Sequence, residues 1–221
     1  MKFLYPGRFV TLEGGEGSGK STQSRFIGDW LRAEGYNVLL TSEPGGTEIG
    51  QALRQVLMDN RNRDIVPETE LLLYIADRAQ HVSTRIIPAL ETGAIVISDR
   101  YHDSSVAYQH FARGVPMETL NFLFHNLAGG LVPDLTLVLD LSIETAMARI
   151  EKRSVSDPSS VSRFEEEERI FHENVRRGFH AIAAEDPERV RLIDGGRSPE
   201  TVFQEIRRLI QPILPERRSS S

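Results

Sequence analysis

Short apolar runs alternate with longer stretches of helical spacing along this chain. Five runs read as strands: Phe9–Glu13, Val38–Thr41, Ile95–Ser98, Leu135–Leu139 and Val190–Ile193. Each is rich in Val, Ile or Leu with little polar alternation, the pattern of a strand covered on both faces of a parallel sheet. Between them apolar residues recur at helical spacing, as in Leu71, Leu72, Ile75 and Ala79, or Val202, Ile206, Leu209 and Ile210. Repeated βα units predict an α/β fold, a five-stranded parallel sheet with right-handed crossovers and helices on both faces. Ligands of such folds bind beyond the carboxyl ends of the strands, so polar residues there are the first candidates for chemistry.

The pattern breaks once, at Ser154–Ser162, a Ser-rich segment containing Pro158. Helical patterning resumes at once, so the break predicts a mobile loop within a single domain spanning 1–221, not a linker between domains. Ser162 and Glu165 have capping-box spacing for the next helix, with the acidic run Glu165–Glu168 in its first turn. Arg217–Ser221 is expected to fray.

Composition narrows the class. The 221 residues carry 26 basic and 32 acidic side chains, a net charge of −6, which disfavours a general nucleic-acid binder. There is no cysteine, which excludes disulfides, thiolate metal sites and a cysteine nucleophile. No apolar run approaches the roughly 18 residues of a membrane span, and Met1–Gly7 does not read as a signal peptide. A cytoplasmic protein is expected.

The strongest motif is Gly14-Gly15-Glu16-Gly17-Ser18-Gly19-Lys20-Ser21. It matches G-x-x-x-x-G-K-[ST] between a predicted strand and a predicted helix, the context that motif requires. Its glycines let backbone N–H groups wrap around phosphate oxygens, and the helix that follows adds its positive end. Lys20 is expected to reach the β- and γ-phosphates of a nucleotide, and Ser21 to ligate Mg²⁺. The chain has only three lysines, and none follows an asparagine, so the Asn-Lys-x-Asp guanine motif of regulatory GTPases is absent. The strand ends Ser98-Asp99-Arg100 and Leu139-Asp140-Leu141 lack the acidic pair of a mechanical ATPase.

A second anion site is predicted beside the first. Glu43-Pro44-Gly45-Gly46-Thr47 forms a turn after the second strand, and Arg54 lies two turns into the next helix. Asp99 is placed to hold Mg²⁺ directly or through water, and Arg100 to hold an anion. Tyr74 and Arg78, one helical turn apart, can face one pocket. Hydrolysis does not need a second anion site, whereas transfer to a second phosphate does.

Together these segments resemble the thymidylate kinases, P-loop enzymes that convert dTMP and ATP to dTDP and ADP. The likeness covers almost the whole chain and rests on FVTLEGGEGSGKSTQ, TSEPGGTEIGQALR, ISDRYHDSSVAYQ and PDLTLVLDL. It implies the P-loop NTPase fold with a small mobile lid at about 149–165, and a homodimer. It implies that Glu16 meets the sugar 3′-hydroxyl, that Tyr74 stacks on thymine, and that Arg78 binds the base carbonyl. Arg54 and Arg100 would clamp the dTMP phosphate, Ser105 would bond the ring nitrogen, and Tyr108, with Gln109 beside it, would crowd the sugar 2′ position. Arg149, Arg153 and Arg163 would belong to the lid over ATP, and Asp194-Gly195-Gly196 to the adenine region. Tyr74 stands where Phe is common, and Ser162 where Asp often precedes the arginine. Some family members carry an arginine directly after the P-loop carboxylate, where this chain has Gly17, so the lid is expected to supply the charge. Arg149 and Arg153 are one helical turn apart, and Arg153, nearer the loop, is the first candidate for the catalytic arginine. A kinase for another nucleoside monophosphate, or a nucleotide-binding module without transfer activity, are the other readings. His102 and His110 read as surface or packing residues, Phe26 and Trp30 as core, and Phe122, Leu123 and Leu127 as core or a dimer surface.

Overall fold

The computed structural model describes residues 3–156, 163–165 and 167–216, for Arg153, Ser154 and Ser156 the backbone only. Ser162 and the tail Arg217–Ser221 lie outside the described residues. Strands β1 (Arg8–Glu13), β2 (Val38–Ser42), β3 (Ile95–Asp99), β4 (Leu135–Asp140) and β5 (Val190–Asp194) form one parallel sheet in the order β2-β3-β1-β4-β5. β1 is central, and chain order reverses across it. The crevice at its carboxyl end is therefore the position where open α/β sheets take ligands.

Each strand matches a predicted run to within one residue. β2, β3, β4 and β5 each gain a polar residue at the carboxyl end, because pairing continues past the apolar run: Ser42 is in register with Asp99, and Asp140 with Asp194. Full burial holds for β1, whereas the edge strands are only partly covered. Every residue of β2 is partly exposed, and Arg191 and Leu192 of β5 face outward.

Two apolar layers sandwich the sheet. On one face Val10, Leu12, Ile97 and Leu137 pack against Ile27 and Leu31 of α1 (Lys20–Ala33) and Val202, Ile206 and Ile210 of α9 (Pro199–Ile210). On the other face Phe9, Val96 and Val138 meet α3 (Pro67–His81), α6 (Met117–Leu127) and α8 (Arg169–Glu185). Phe26 and Trp30 pack edge-on against Phe203, and His102 stacks on Phe124 at 3.6 Å, as packing residues should. The remaining helices are α2 (Glu48–Met58), α4 (Ile87–Glu91), α5 (His102–Ser105) and α7 (Ile143–Ser156).

Three expectations change. Leu72 is 52% exposed, on the side of α3 opposite Leu71 and Ile75. Two segments, Val82–Ile86 and Val106–Ala112, are π-helical. α8 begins at Arg169 with Glu168 as N-cap, so Glu165 is not in its first turn. Glu165 instead sits in a buried turn with Arg163 and Phe164.

Candidate active site

The P-loop runs from β1 into α1. Gly14 has φ 133°, and a Cβ there would lie 2.5 Å from the Leu139 carbonyl oxygen, so only glycine fits where the loop leaves the sheet. Lys20 is nearly buried, and its Nζ donates to the carbonyls of Gly14 (3.1 Å) and Gly15 (2.9 Å) and to Ser18 Oγ (3.3 Å). Burial, and then the Arg100 guanidinium, lower its pKa, against the pull of Glu16 and Asp99. Ser21 Oγ donates to Asp99 Oδ2 at 2.9 Å, which joins the first turn of α1 to the end of β3.

One cavity of about 930 Å³ spans the P-loop and the ends of β2 and β3. Of the predicted site residues, Glu16, Gly17, Ser18, Gly19, Lys20, Ser21 and Arg149 line it on the P-loop side. Glu43, Pro44, Arg54, Tyr74, Arg78, Arg100, Ser105, Tyr108 and Gln109 line it on the other side, with Asp99 between. Gly14 and Gly15 lie behind the loop, against a second, much smaller cavity.

Guanidinium groups converge on the second half. Arg54 Nη1 donates to the Pro44 carbonyl (3.0 Å). Arg78 is fully buried and bonds Glu43 Oε2 through Nε (2.8 Å) and Ser105 Oγ through Nη1 (3.1 Å). Arg100 reaches back to the P-loop, to the Gly14 carbonyl (3.0 Å) and Glu16 Oε1 (2.5 Å), and lies over the Tyr108 ring at 4.9 Å. Tyr108 Oη also donates to Glu16, at 3.1 Å. Burial raises the pKa of Tyr74 and of Tyr108, so both phenols keep their protons near neutral pH. Gln109 donates to Glu70 Oε1 at 2.9 Å, which turns its amide toward α3.

The predicted lid divides. Arg149 donates to the carbonyls of Gly17 (3.2 Å) and Gly195 (3.1 Å), so it sits against the P-loop. The side chain of Arg153 and residues 157–162 lie outside the described residues. Arg163 is buried away from the cavity, where Nε donates to the Leu57 carbonyl (2.6 Å) and Nη2 to Glu70 (2.6 Å). Its place is structural: it pins the turn before α8 to α2 and α3. Asp194 does not line the cavity; its Oδ1 accepts from the Gly196 N–H at 2.9 Å. The motifs did not single out Glu13, Ser104, His81 or Phe164. Phe164 lines the cavity beside Tyr108, with ring centroids 5.9 Å apart. Glu13 is fully buried at the end of β1 and accepts from the Tyr101 N–H (2.8 Å) and Ser104 Oγ (2.5 Å).

A phosphate-binding loop and an arginine-lined pocket with an aromatic wall thus share one cavity. The family model described as thymidylate kinase matches residues 12–206. The chain belongs to the thymidylate kinase family. Thymidylate kinase of Nitratidesulfovibrio vulgaris (strain DSM 19637 / Miyazaki F) is 49% identical over 208 residues, 93% of this chain and 97% of the relative. That of Desulfovibrio desulfuricans (strain ATCC 27774 / DSM 6949 / MB) is 45% identical over 211 residues, 95% of this chain and 97% of the relative. The crystal structure of thymidylate kinase from Ehrlichia chaffeensis superposes with a TM-score of 0.74 at 31% identity, covering 93% of this chain and 99% of that one. The family's P-loop NTPase fold is the fold described above.

Proposed function

We propose that this chain transfers the γ-phosphoryl group of ATP to dTMP, giving dTDP and ADP and so supplying dTTP for DNA synthesis. The observation that carries the reading is the single cavity in which the P-loop faces Arg54, Arg78 and Arg100. An oxygen of the dTMP phosphate attacks the γ-phosphorus in line; the bond to the bridging oxygen breaks and ADP leaves. The attacking oxygen is ionised near neutral pH, since a phosphate monoester has its second pKa near about 6, so no general base is required.

Lys20, Arg100 and Arg149 neutralise charge on the transferring group, and Glu16 positions the acceptor and Arg100. Arg149, whose side chain meets the P-loop at Gly17, supports the lid's part in this, and Arg153 is kept as the other lid arginine proposed for it. Tyr74, Pro44, Arg78, Ser105, Tyr108 and Gln109 form the walls of the acceptor pocket, and Arg54 with Arg100 hold its phosphate. Ser21 and Asp99, a hydroxyl and a carboxylate at hydrogen-bond distance beside the loop, suit a cation that takes its other ligands from phosphates and water. Mg²⁺ held there would neutralise phosphate charge. The Asp194 region is kept as the adenine side through the Gly195 carbonyl that Arg149 bonds. We read 1–221 as one catalytic domain acting as a homodimer in the cytoplasm; among the described residues no helix is long and apolar enough to cross a membrane.

The test is ADP release across a panel of nucleoside monophosphates. A donor at the base 4-position carbonyl becomes unpaired with dCMP, so kcat/KM for dTMP should exceed that for dCMP by about 10³-fold or more. dUMP lacks only a methyl, worth about 0.8 kcal/mol, and should lag a few-fold. Comparable values for dTMP and dCMP would overturn the reading.

A further inference from the structure

Along the wall of the cavity runs a row of bonded groups from β2 to α5, buried except for the partly exposed Thr41. Glu43 is 3% exposed, and both its oxygens are occupied: Oε2 by Arg78 Nε at 2.8 Å, Oε1 by His81 Nδ1 at 2.9 Å. A carboxylate can only accept, so Nδ1 of His81 carries a proton. Nε2 of the same ring lies 2.7 Å from Thr41 Oγ1, and in the neutral ring it accepts that hydroxyl's hydrogen. At the other end Arg78 Nη1 reaches Ser105 Oγ at 3.1 Å. The row is therefore Thr41, His81, Glu43, Arg78, Ser105, each member bonded to the next.

The surroundings leave these groups little freedom. His81 is fully buried, and a Cβ on Gly46 would sit 2.3 Å from its Nε2, so the loop after β2 closes directly on the ring. Asp77, also buried, makes no hydrogen bond to the Arg78 guanidinium. Its Oδ1 accepts from the Gly45 N–H at 3.1 Å, and its Oδ2 has no hydrogen-bond partner. A fully buried guanidinium takes its orientation from whatever fixes its donors, and two of Arg78's donors are fixed by Glu43 and Ser105.

We propose that Glu43 and His81 are positioning residues that hold the Arg78 guanidinium in register with the base, and thereby set selectivity among nucleobases. The proposal rests on the reading that Arg78 meets the base 4-position carbonyl of dTMP. Glu43 acts through Arg78 and not on substrate directly, and His81 with Thr41 fixes which way the carboxylate faces. Loss of the row frees the guanidinium to swing, so the penalty for a 4-amino base falls while the nucleotide half of the cavity is untouched.

The experiment compares kcat/KM for dTMP and for dCMP, and KM for ATP, in the wild-type enzyme and in Glu43→Gln, His81→Gln and Thr41→Val. Circular dichroism and thermal melts establish that each variant folds. The expected result is graded. Glu43→Gln lowers the dTMP/dCMP ratio at least about tenfold, Thr41→Val about two- to fivefold, and His81→Gln lies between, with KM for ATP within about twofold of wild type. Thr41→Val changes one hydroxyl to a methyl, so it keeps the test open if the charged positions do not tolerate substitution. Folded variants that keep the ratio within about twofold overturn the proposal. So does a loss that falls equally on both nucleotides, since that is what a purely structural role produces. A wild-type enzyme that does not prefer dTMP to dCMP overturns instead the substrate reading on which the proposal stands.

Discussion

Arg100 sits at φ 72°, a backbone conformation that residues with a Cβ adopt at a cost of about 1 kcal/mol or more. Its bonds explain why it stays there. Its N–H donates to the Leu12 carbonyl (2.9 Å), its carbonyl accepts from Ser98 Oγ (2.7 Å), and its side chain grips Gly14 and Glu16. Glu13 secures the next residue through the Tyr101 N–H, and this carboxyl should leave a pH signature. Burial, and then the neighbouring charge of Asp103, push its pKa up to about 7 from an ordinary 4.5. Between those values the folded chain holds a proton that the unfolded chain has released. Glu13 therefore costs stability increasingly as pH rises through that window, and the cost levels off above it. Urea unfolding at pH 5 and pH 8 should show Glu13→Gln gaining on wild type by about 1–3 kcal/mol at the higher pH. An unchanged difference between the two would mean that Glu13 ionises as an exposed carboxylate does. Arg149 makes a kinetic prediction. Its Cβ lies 3.5 Å from where a Gly17 Cβ would stand, so its side chain starts beside the loop position at which some relatives are expected to carry an arginine. Arg149→Ala should lose at least about tenfold in kcat, less than the roughly 10³–10⁵ of an isolated arginine finger because Lys20 and Arg100 remain. KM for dTMP should scarcely move, and a kcat within about threefold of wild type would remove Arg149 from the mechanism.

Among the elements, the meeting of α8 with the π-helical segment Val106–Ala112 decides how closely the cavity wall at Tyr108 and Gln109 is held. A Cβ on Gly178 would lie 2.9 Å from both Ala107 Cα and a Phe111 ring carbon. Alanine gains roughly 1 kcal/mol over glycine inside a helix, while overpacking costs about 1–3 kcal/mol. The backbone neighbour cannot rotate away, so overpacking wins. Gly178→Ala should lower the melting temperature by a few degrees, and an equal or higher value would show that the two elements part easily. The same junction marks the limit of sequence reasoning. Strands were legible because buried parallel strands are apolar throughout, and the P-loop because its spacing serves one geometry. The π-helical turns were not, since a run such as Val106-Ala107-Tyr108 carries no signal that separates π from α. Nor was the partner of a buried ion: Glu43 meets His81 across 38 positions and Arg163 meets Glu70 across 93, and no spacing rule joins such pairs. His81 in particular follows Arg78 by one turn of α3, so their shared face was predictable, but not the carboxylate that links them.

At the scale of the molecule, α2, α3 and α6 carry large apolar residues on their exposed sides, among polar ones. Ile49 and Val56 of α2, Leu72 of α3, and Phe122 and Leu127 of α6 are each at least 43% exposed. Isolated exposed aliphatics are ordinary, but large ones on three adjoining helices make this face the candidate seam of the proposed homodimer. In the proposed homodimer a two-fold axis would set the same patch of both chains against each other, and this face is the candidate for that patch. Sedimentation should give a species near twice the chain mass of 24.9 kDa. Leu72→Glu and Phe122→Glu place charge on the apolar face and should shift that species to monomer. The site gives the reason this matters for catalysis. Leu72 lies on the same helix as Tyr74 and Arg78, so in the proposed homodimer the outer side of α3 would meet the partner while its inner side lines the cavity. A partner that buried the outer side would restrain the helix that carries Tyr74 and Arg78, the two proposed base contacts. The monomeric variants should therefore show a raised KM for dTMP, with KM for ATP, whose loop lies on β1 and α1, left near its wild-type value. Monomers that keep the wild-type KM for dTMP would mean that packing against α2 and α6 holds α3 in place without the partner.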